Sequence, residues 1–197
     1  MATDTKREAI IEAAFRRFAH FGVPKTTMNE ISDDLGISKA SLYYYFPDKL
    51  NLFAAVLQKI IEEASSEKPI DADDPFEAMD IYLDRRTEFI LKYHNILEYL
   101  KVTSSGIPAE LKTLFESARS MEYASIEAII ALGSKAGKFG EGTGASDARL
   151  LFDALQGLRQ IILHDSPGFF PDKKKFQAIL KQEKRLARIF LKGLTVQ

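Results

Sequence analysis

The sequence predicts an all-α protein of about nine helices. Apolar residues recur at three- and four-residue spacing along most of the chain, and capping residues precede many of these stretches. No stretch alternates apolar and polar residues between turn signals, as a half-buried strand would. We expect a three-helix unit over residues 1–48 and a larger helical domain over residues 49–197.

Composition narrows the class of protein. The 197 residues include 46% hydrophobic and 28% charged side chains, which is typical of a folded domain with a core of its own. No run approaches the roughly 18 apolar residues of a membrane span, and the N-terminus is polar where a signal peptide would be apolar. We therefore expect a cytoplasmic protein with no membrane partner. The absence of cysteine excludes disulfides, thiolate catalysis and cysteine-based zinc sites.

Two short helices joined by a tight turn follow the first helix. Thr27 and Glu30 have the spacing of a capping box, in which each side chain satisfies a free backbone donor at the helix start. Gly36 supplies the left-handed residue that ends this helix, and Ser38 is placed to cap the next one, over about residues 39–45. The pattern predicts a helix-turn-helix.

The second of these helices is too short to bury all of its large side chains. Leu42 and Phe46 lie on one face and can pack inward, which leaves polar and aromatic residues outside. Such residues suit a DNA groove, because lysine, serine and tyrosine bond phosphates or base edges and an alanine methyl touches a thymine methyl. We predict DNA contacts from Lys39, Ala40, Ser41, Tyr43, Tyr44 and Tyr45.

Charge supports this prediction only in part. Residues 1–50 carry seven basic and seven acidic side chains, so the unit is neutral by count. We expect the basic residues at the DNA-facing edge and the acids turned away. Lys49 stands in the first turn of the helix that follows, where a cation opposes the helix dipole, and a phosphate partner would compensate for that cost.

The order and spacing of these residues resemble the N-terminal domain of TetR family transcriptional regulators. That domain has an apolar helix ending Phe-Ala-x-x-Gly, then Thr-Thr, Ile, Gly-hydrophobic-Ser, Leu-Tyr-x-Tyr-Phe and a lysine that opens the next helix. The match covers about the first sixty residues and consists of Phe18, Ala19, Gly22, Thr26, Thr27, Ile31, Gly36, Ile37, Ser38, Leu42, Tyr43, Tyr45, Phe46 and Lys49.

The resemblance implies roles for these residues. The positions that the family uses for phosphate contact or domain integrity are occupied by Thr27, Ser38, Tyr43, Tyr45 and Lys49. The variable positions that can face bases are occupied by Asn29, Lys39, Ala40, Ser41 and Tyr44. It also implies a homodimer on a near-palindromic operator, and a small effector, of unknown identity, that binds the second domain and releases a repressor from DNA.

The larger domain is expected to begin with a connecting helix over about residues 48–64. A helix to about residue 93 and a separate short helix over residues 95–102 should follow. Aromatic side chains with polar groups concentrate in the middle helices; an ordinary core explains each one alone, but together they favour an apolar cavity with a few polar groups. The predicted ligand-binding residues are Tyr82, Phe89, Tyr93, His94, Tyr99, Phe115, Arg119 and Tyr123.

The last two helices carry more apolar positions than one neighbour requires. Gly157 stands in the middle of one of them, where close approach of another helix would compensate for its low helix propensity. Two such helices from each of two chains can form a four-helix bundle. The predicted dimer contacts are Leu151, Leu155, Gly157, Leu158, Ile162, Leu186 and Phe190.

Other chemistry is not indicated. Residues 133–144 contain a Gly-x-Gly-x-x-Ala pattern, but no strand precedes it, so we interpret the segment as a mobile helix-to-helix connection. The three histidines lack metal-site spacing, and no hydrolase or Walker pattern occurs, so we expect no metal, no cofactor and no enzyme activity. The alternative hypothesis is an effector-free architectural or adaptor protein that binds DNA and uses its terminal helices for a different protein.

Overall fold

The structure, a computed structural model, describes residues 2–66, 69–97, 99, 109–164 and 173–196. Its long elements in these residues are all helical: α1 (Ala2–Phe21), α2 (Met28–Asp34), α3 (Lys39–Tyr45), α4 (Lys49–Ser65), α5 (Pro75–Leu97), α6 (Ala109–Lys135), α7 (Ala145–His164) and α8 (Lys173–Leu194). The predicted all-α class with an N-terminal helix-turn-helix is confirmed. None of these helices has both the length and the apolar character needed to cross a membrane.

The break predicted near residue 94 is wrong. α5 runs without interruption from Pro75 to Leu97. Histidine and asparagine have modest helix propensities but do not end a helix, and the side chain of Asn95 donates a hydrogen bond to the backbone oxygen of Ala19 at 2.7 Å. Beyond Leu97, the predicted ninth helix lies outside the described residues, apart from Tyr99.

One compact unit comprises Met1–Glu67 and Tyr93–Ala118. In it, α1 packs on α2 and α4, and α2 packs on α3. The rings of Phe18 and Phe53 meet edge to face with their centroids 6.2 Å apart, and both side chains are fully buried. The short helix α2 therefore rests on α1, and α3 rests on α2, although neither short helix would be stable alone.

The other compact unit comprises Lys68–Lys92 and Arg119–Gln197. Here α7 packs against α8, and their apolar faces meet those of α5 and α6 in one core. The fully buried residues of this core include Leu83, Ile126, Ile130, Ala148, Leu151 and Leu155.

The glycine-rich connection that follows α6 begins with two backbone hydrogen bonds, and its expected mobility stays a prediction. The Lys138 N–H donates to the Gly133 oxygen at 3.0 Å, and the Gly137 N–H donates to the Ser134 oxygen at 3.1 Å. Gly137 has φ +67°, so the helix ends in a Schellman motif, in which glycine takes the left-handed position at little cost.

A short antiparallel pairing then ties this connection to the segment after α8. Phe139 forms an isolated bridge with Thr195, and the Gly140 N–H donates to the Leu194 oxygen at 2.8 Å. The Phe139 side chain is 5% exposed and packs in the core beside Phe76, with ring centroids 6.4 Å apart. Glycine at 133 makes room for this ring.

Gly133→Ala should destabilise the fold. A Cβ at residue 133 would lie 2.1 Å from Cε2 and 2.3 Å from Cδ2 of Phe139, and the buried ring has little freedom to move. Overpacking of this kind costs about 1–3 kcal/mol, which urea unfolding would measure. Gly193→Ala is the matched control, because no atom of the described residues lies within 4 Å of its Cβ position. An equal effect of the two substitutions would contradict the packing explanation.

Candidate functional site

The predicted capping box at the start of α2 is present. The Thr27 N–H donates to Glu30 Oε2 at 2.8 Å, and the Glu30 N–H donates to Thr27 Oγ1 at 3.3 Å. At the other end of α2, the Gly36 N–H donates to the Asp33 oxygen and the Ile37 N–H to the Ser32 oxygen, each at 3.1 Å. Gly36 has φ +61°, so a second Schellman motif sets the direction in which the chain enters α3.

α3 is held by one apolar residue on its inner side and presents aromatic residues on its outer side. Leu42 is fully buried, and Phe46, which caps the helix, is 3% exposed. Tyr43 is 47% exposed and Tyr44 is 80% exposed. An 80% exposed tyrosine contributes little to a core, so the prediction that this short helix leaves its tyrosines outside is confirmed for these two.

The other predicted DNA-binding residues lie on or next to α2 and α3, except Lys49, which begins α4. Ser38 caps α3, accepting a hydrogen bond from the Ser41 N–H at 3.1 Å. Those with exposed side chains are Thr27, Asn29, Ser38, Lys39 and Ala40. Those with partly buried side chains are Ser41, Tyr45 and Lys49.

Lys49 has partners within the chain. Its Nζ donates to the backbone oxygens of Val23 at 3.0 Å and Thr26 at 3.1 Å, with the Pro24 oxygen at 3.5 Å. These carbonyls belong to the turn between α1 and α2. The unfavourable position of a cation at the start of α4 therefore has an internal explanation, and it does not by itself indicate a phosphate.

An ion-pair clamp that sequence reasoning missed joins α1 to α2. Arg17 donates from Nε to Asp34 Oδ2 at 2.6 Å and from Nη2 to Asp34 Oδ1 at 2.8 Å, and its Nη1 lies 3.3 Å from Glu30 Oε1. This two-point geometry fixes the orientation of α2 as well as its distance. The clamp joins residues 17 apart, so no local pattern in the sequence indicates it.

Several acidic residues of this unit are engaged in internal contacts. Glu30 and Asp34 hold Arg17, Glu12 pairs with Lys59 at 2.6 Å, and Asp48 caps α4 through the Asn51 N–H.

By contrast, Lys25 and Lys39 are exposed and form no ion pair with any acid that the structure describes. Residues 1–50, which are neutral by count, thus present unpaired cations in the part of the chain that the structure describes, and one of them, Lys39, lies on α3 with the exposed tyrosines.

The predicted ligand-binding residues are divided between the two compact units. Tyr93, His94, Tyr99 and Phe115 fall in the unit that contains α1–α4. Tyr93 and Tyr99 pack there as ordinary aromatic residues, against Phe15 and Phe53 with ring centroids 6.1 and 4.9 Å apart. The predicted residues in the other unit are Tyr82, Phe89, Arg119 and Tyr123.

A buried charge network near Tyr82 was not predicted. Arg159, 4% exposed, donates from Nε to Glu183 Oε1 and from Nη1 to Glu122 Oε2, the latter at 3.0 Å. Arg86 Nε also donates to Glu122 Oε2 at 3.0 Å. Glu183 is 1% exposed and lies on the apolar face of α8. A single charged residue on an otherwise apolar helix face is the sequence signal that could have indicated this network.

Burial and charge set the protonation states in this network. Burial raises the pKa of Tyr82 to about 12, and the charge of Glu122 adds to the effect. Burial would also raise the pKa of Glu122, but Arg86 and Arg159 outweigh it and hold that pKa below its ordinary value. At neutral pH the tyrosine is therefore a neutral hydroxyl beside the ionised carboxylate of Glu122.

The predicted dimer contacts are only partly at the surface. Leu151 and Leu155 are fully buried in the core of the chain itself, so for these two the prediction is wrong. They occupy the inner face of α7, which helical periodicity alone does not distinguish from an outer apolar face. Partly buried positions are held by Gly157, Leu158, Leu186 and Phe190, and the side chain of Ile162 lies outside the described residues.

A cleft of about 400 Å³ lies in the unit that contains α1–α4. It is lined by charged, amide and small side chains of α1 and α4, with Leu114 of α6, and none of the predicted ligand-binding residues lines it. Elsewhere in the described ranges, no three histidine, aspartate or glutamate side chains are grouped so that they could hold a metal ion.

The fold and this surface define a helix-turn-helix DNA-binding protein. Residues 10–56 match the family described as "Bacterial regulatory proteins, tetR family". A transcriptional regulator from Cytophaga hutchinsonii of known structure is 32% identical, covers 97% of this chain and 99% of its own, and superposes with a TM-score of 0.77. The chain belongs to the TetR family.

Two further relatives are named as transcriptional regulators. RutR of Escherichia coli is 41% identical over 61 residues, a match that spans 31% of this chain but only 29% of RutR. TtgR of Pseudomonas putida is 28% identical over 198 residues, which cover 89% of this chain and 92% of TtgR. The identity is thus higher over the short match to RutR than over the match to TtgR, which spans most of the chain.

Asp34→Asn should make the protein less sensitive to acid. The hydrogen bond from Arg17, and then its charge, hold the pKa of Asp34 below its ordinary value. A carboxyl with a lowered folded-state pKa adds stability that is complete above its unfolded pKa, about 4, and is lost as pH falls through the folded value. Urea midpoints measured between about pH 5 and pH 3 should therefore fall less in the variant than in the parent.

The control for this comparison is Asp33→Asn, which changes an exposed neighbouring acid that forms no ion pair in the described residues. It should retain the acid sensitivity of the parent protein. Identical pH profiles for the two variants would contradict the role assigned to the Arg17 clamp.

Proposed function

We propose that the protein is a ligand-responsive repressor that binds a near-palindromic DNA operator as a homodimer and is released by a small molecule. The observation that carries the DNA-binding part is α3. It is a short helix, fixed from behind by Leu42 and Phe46, whose outer side holds Lys39, Tyr43 and Tyr44. Family membership supports the regulatory role.

In this proposal α3 lies in the major groove. Lys39 and Ser41 reach base edges, since lysine pairs with guanine acceptors and serine bonds either partner of a base pair. Tyr43 donates its hydroxyl to a phosphate oxygen and so sets the register of the helix on the duplex. Lys25, exposed and unpaired, adds phosphate attraction in the turn before α2.

Dimerisation through α7 and α8 would place two copies of α3 in successive major grooves, about 34–36 Å apart. The support lies in exposed apolar side chains: Leu150 on α7 is 60% exposed and Ile189 on α8 is 61% exposed. Within the described residues, no atom lies within 4 Å of a Cβ position at Gly157, and we propose that this point of α7 receives a helix of a second copy. These residues replace the buried Leu151 and Leu155 in the proposed interface.

Release by a ligand requires that two conformers bind DNA with different affinities. We propose that α4 transmits the change, because Lys49 in its first turn holds the turn that precedes α2. A ligand that favours a conformer in which α4 is displaced would alter the position of α2 and α3. Its differential affinity for the two conformers sets the limit on the size of that effect.

Tyr43→Phe and Lys39→Ala should affect DNA binding in different ways. The parent protein would first select a preferred sequence from random DNA. Affinities would then be measured at fixed salt for that sequence and for its single-base variants. Loss of a phosphate contact should weaken binding to all of them alike, whereas loss of a base contact should cost about 1–3 kcal/mol of discrimination at one base pair. If Tyr43→Phe changed the preferred DNA sequence and Lys39→Ala did not, Tyr43 would be the residue that contacts a base and Lys39 the one that contacts a phosphate.

Leu150→Glu and Ile189→Glu should dissociate the dimer. A carboxylate placed within an apolar interface loses its hydration without gaining a partner. Sedimentation analysis should show monomers at concentrations at which the parent is dimeric. Ala128→Glu, which places the same charge on an exposed position of α6, is the control and should remain dimeric. A monomeric parent protein, free and on DNA, would overturn the two-half-site geometry.

A further inference from the structure

The cleft of about 400 Å³ in the unit that contains α1–α4 has both apolar and polar lining. The apolar side chains are those of Ile11 in α1, Ala54 and Ala55 in α4, and Leu114 in α6. All of them belong to one compact unit, as does the rest of the lining. A cleft of this size, with apolar surface and a few polar groups, is typical of sites for small organic molecules.

The cations that line the cleft have acidic partners. The Nζ of Lys59 lies 2.6 Å from Oε2 of Glu12. The guanidinium group of Arg7 lies 3.8 Å from a carboxylate oxygen of Glu8, and its central carbon lies 5.2 Å from the ring centroid of Phe46. The charges of the two pairs cancel, so neither cation is left for the remaining acid of the lining.

That acid is Glu62, which forms no ion pair within the part of the chain that the structure describes. Its Oε1 accepts a hydrogen bond from Nε2 of Gln58 at 2.7 Å. This bond uses a donor of the amide and leaves the amide oxygen as an acceptor. Both side chains line the cleft, so one turn of α4 offers it a negative charge and further acceptor oxygens.

The end of α4 favours a cation at the same place. Glu62 stands in the last turn of this helix, and that turn contains no basic residue. The helix dipole places partial negative charge on the carbonyl groups of the last turn, and a carboxylate there adds to it. A positive charge bound beside Glu62 would therefore be attracted by the carboxylate and by the helix dipole together.

A metal ion does not match this arrangement. Hard cations such as Ca²⁺ and Mg²⁺ require several oxygen ligands around one point. In the described residues, no three histidine, aspartate or glutamate side chains are grouped so that they could hold a metal ion. A metal ion would also leave the apolar side chains of the cleft without a contact, whereas an organic cation uses both kinds of lining.

We propose that this cleft binds a small primary amine with an apolar body, whose ammonium group donates hydrogen bonds to Glu62 and to the amide oxygen of Gln58. An ammonium group has three donors and no acceptor, which fits these oxygens. The apolar body contacts Ile11, Ala55 and Leu114. Such a site goes beyond the proposed function, because binding in this cleft does not depend on a response of the DNA-binding helices.

Glu62→Gln, probed with benzylamine, tests the proposal because it removes the charge and keeps the size of the side chain. Equilibrium dialysis at neutral pH and fixed salt should show saturable binding of benzylamine to the parent protein. The variant should bind it roughly tenfold more weakly, since a hydrogen bond between two charged groups is lost. Benzyl alcohol, which has the same body without the charge, should bind the parent more weakly than benzylamine does.

Glu63→Gln is the matched control. It removes the same charge from the next residue of α4, which is also exposed but is not part of the lining of the cleft. Both variants therefore change the net charge near the end of α4 equally, and only Glu62→Gln removes the proposed contact. The affinity of Glu63→Gln for benzylamine should stay close to that of the parent protein.

Three results would overturn the proposal: no saturable binding of benzylamine to the parent protein, benzyl alcohol binding as tightly as benzylamine, or equal benzylamine affinity in Glu62→Gln and Glu63→Gln. Specific DNA binding is measured on the same preparations. If it persists while benzylamine binding fails, only the amine site falls. If the parent protein binds benzylamine but no specific DNA sequence, the proposed function falls instead.

Discussion

The ammonium group of Lys49 connects the parts of the helix-turn-helix that lie apart in the sequence. It lies in the first turn of α4 and bonds backbone oxygens of Val23 and Thr26, which precede α2. The dipole of α4 repels a cation at this end, so the carbonyl contacts must outweigh that repulsion. Because α3 lies between α2 and α4 in the chain, fixing the start of both neighbours limits where α3 can point. Arg17 adds a second constraint through its two bonds to Asp34.

Local sequence patterns are sufficient to predict the helices of the helix-turn-helix unit, but they do not predict the contacts among those helices. Thr27, Gly36 and Ser38 act within a few residues of their own position, so the caps and the turn follow directly from the sequence. The partners of Arg17 and Lys49 lie 13 to 26 residues away in the sequence, and no local sequence pattern indicates pairing over such distances. The position of Lys49 near a helix start therefore predicts a contact with a DNA phosphate. In the structure, its ammonium group donates to backbone carbonyl oxygens instead.

In the second unit, too, the sequence pattern predicts the helices but not the contacts that they make. Periodicity identified the apolar faces of α7 and α8, but it could not tell the face that meets the core from the face that meets solvent, so Leu151 and Leu155 were assigned to an interface. Glu183 interrupts the apolar stripe of α8, yet its side chain is buried. Its burial beside Arg159 depends on a charge supplied from another helix, which no single-helix pattern contains.

The contact between Gly133 and Phe139 has a consequence for the divergence of related proteins. The ring occupies the volume that any side chain at residue 133 would need, and the backbone beside it is paired with Thr195. Two positions that share one volume cannot vary independently. Where descendants of a common ancestor keep this bridge, a larger residue at the first position should be accompanied by a smaller one at the second, while exposed positions nearby drift without regard to each other.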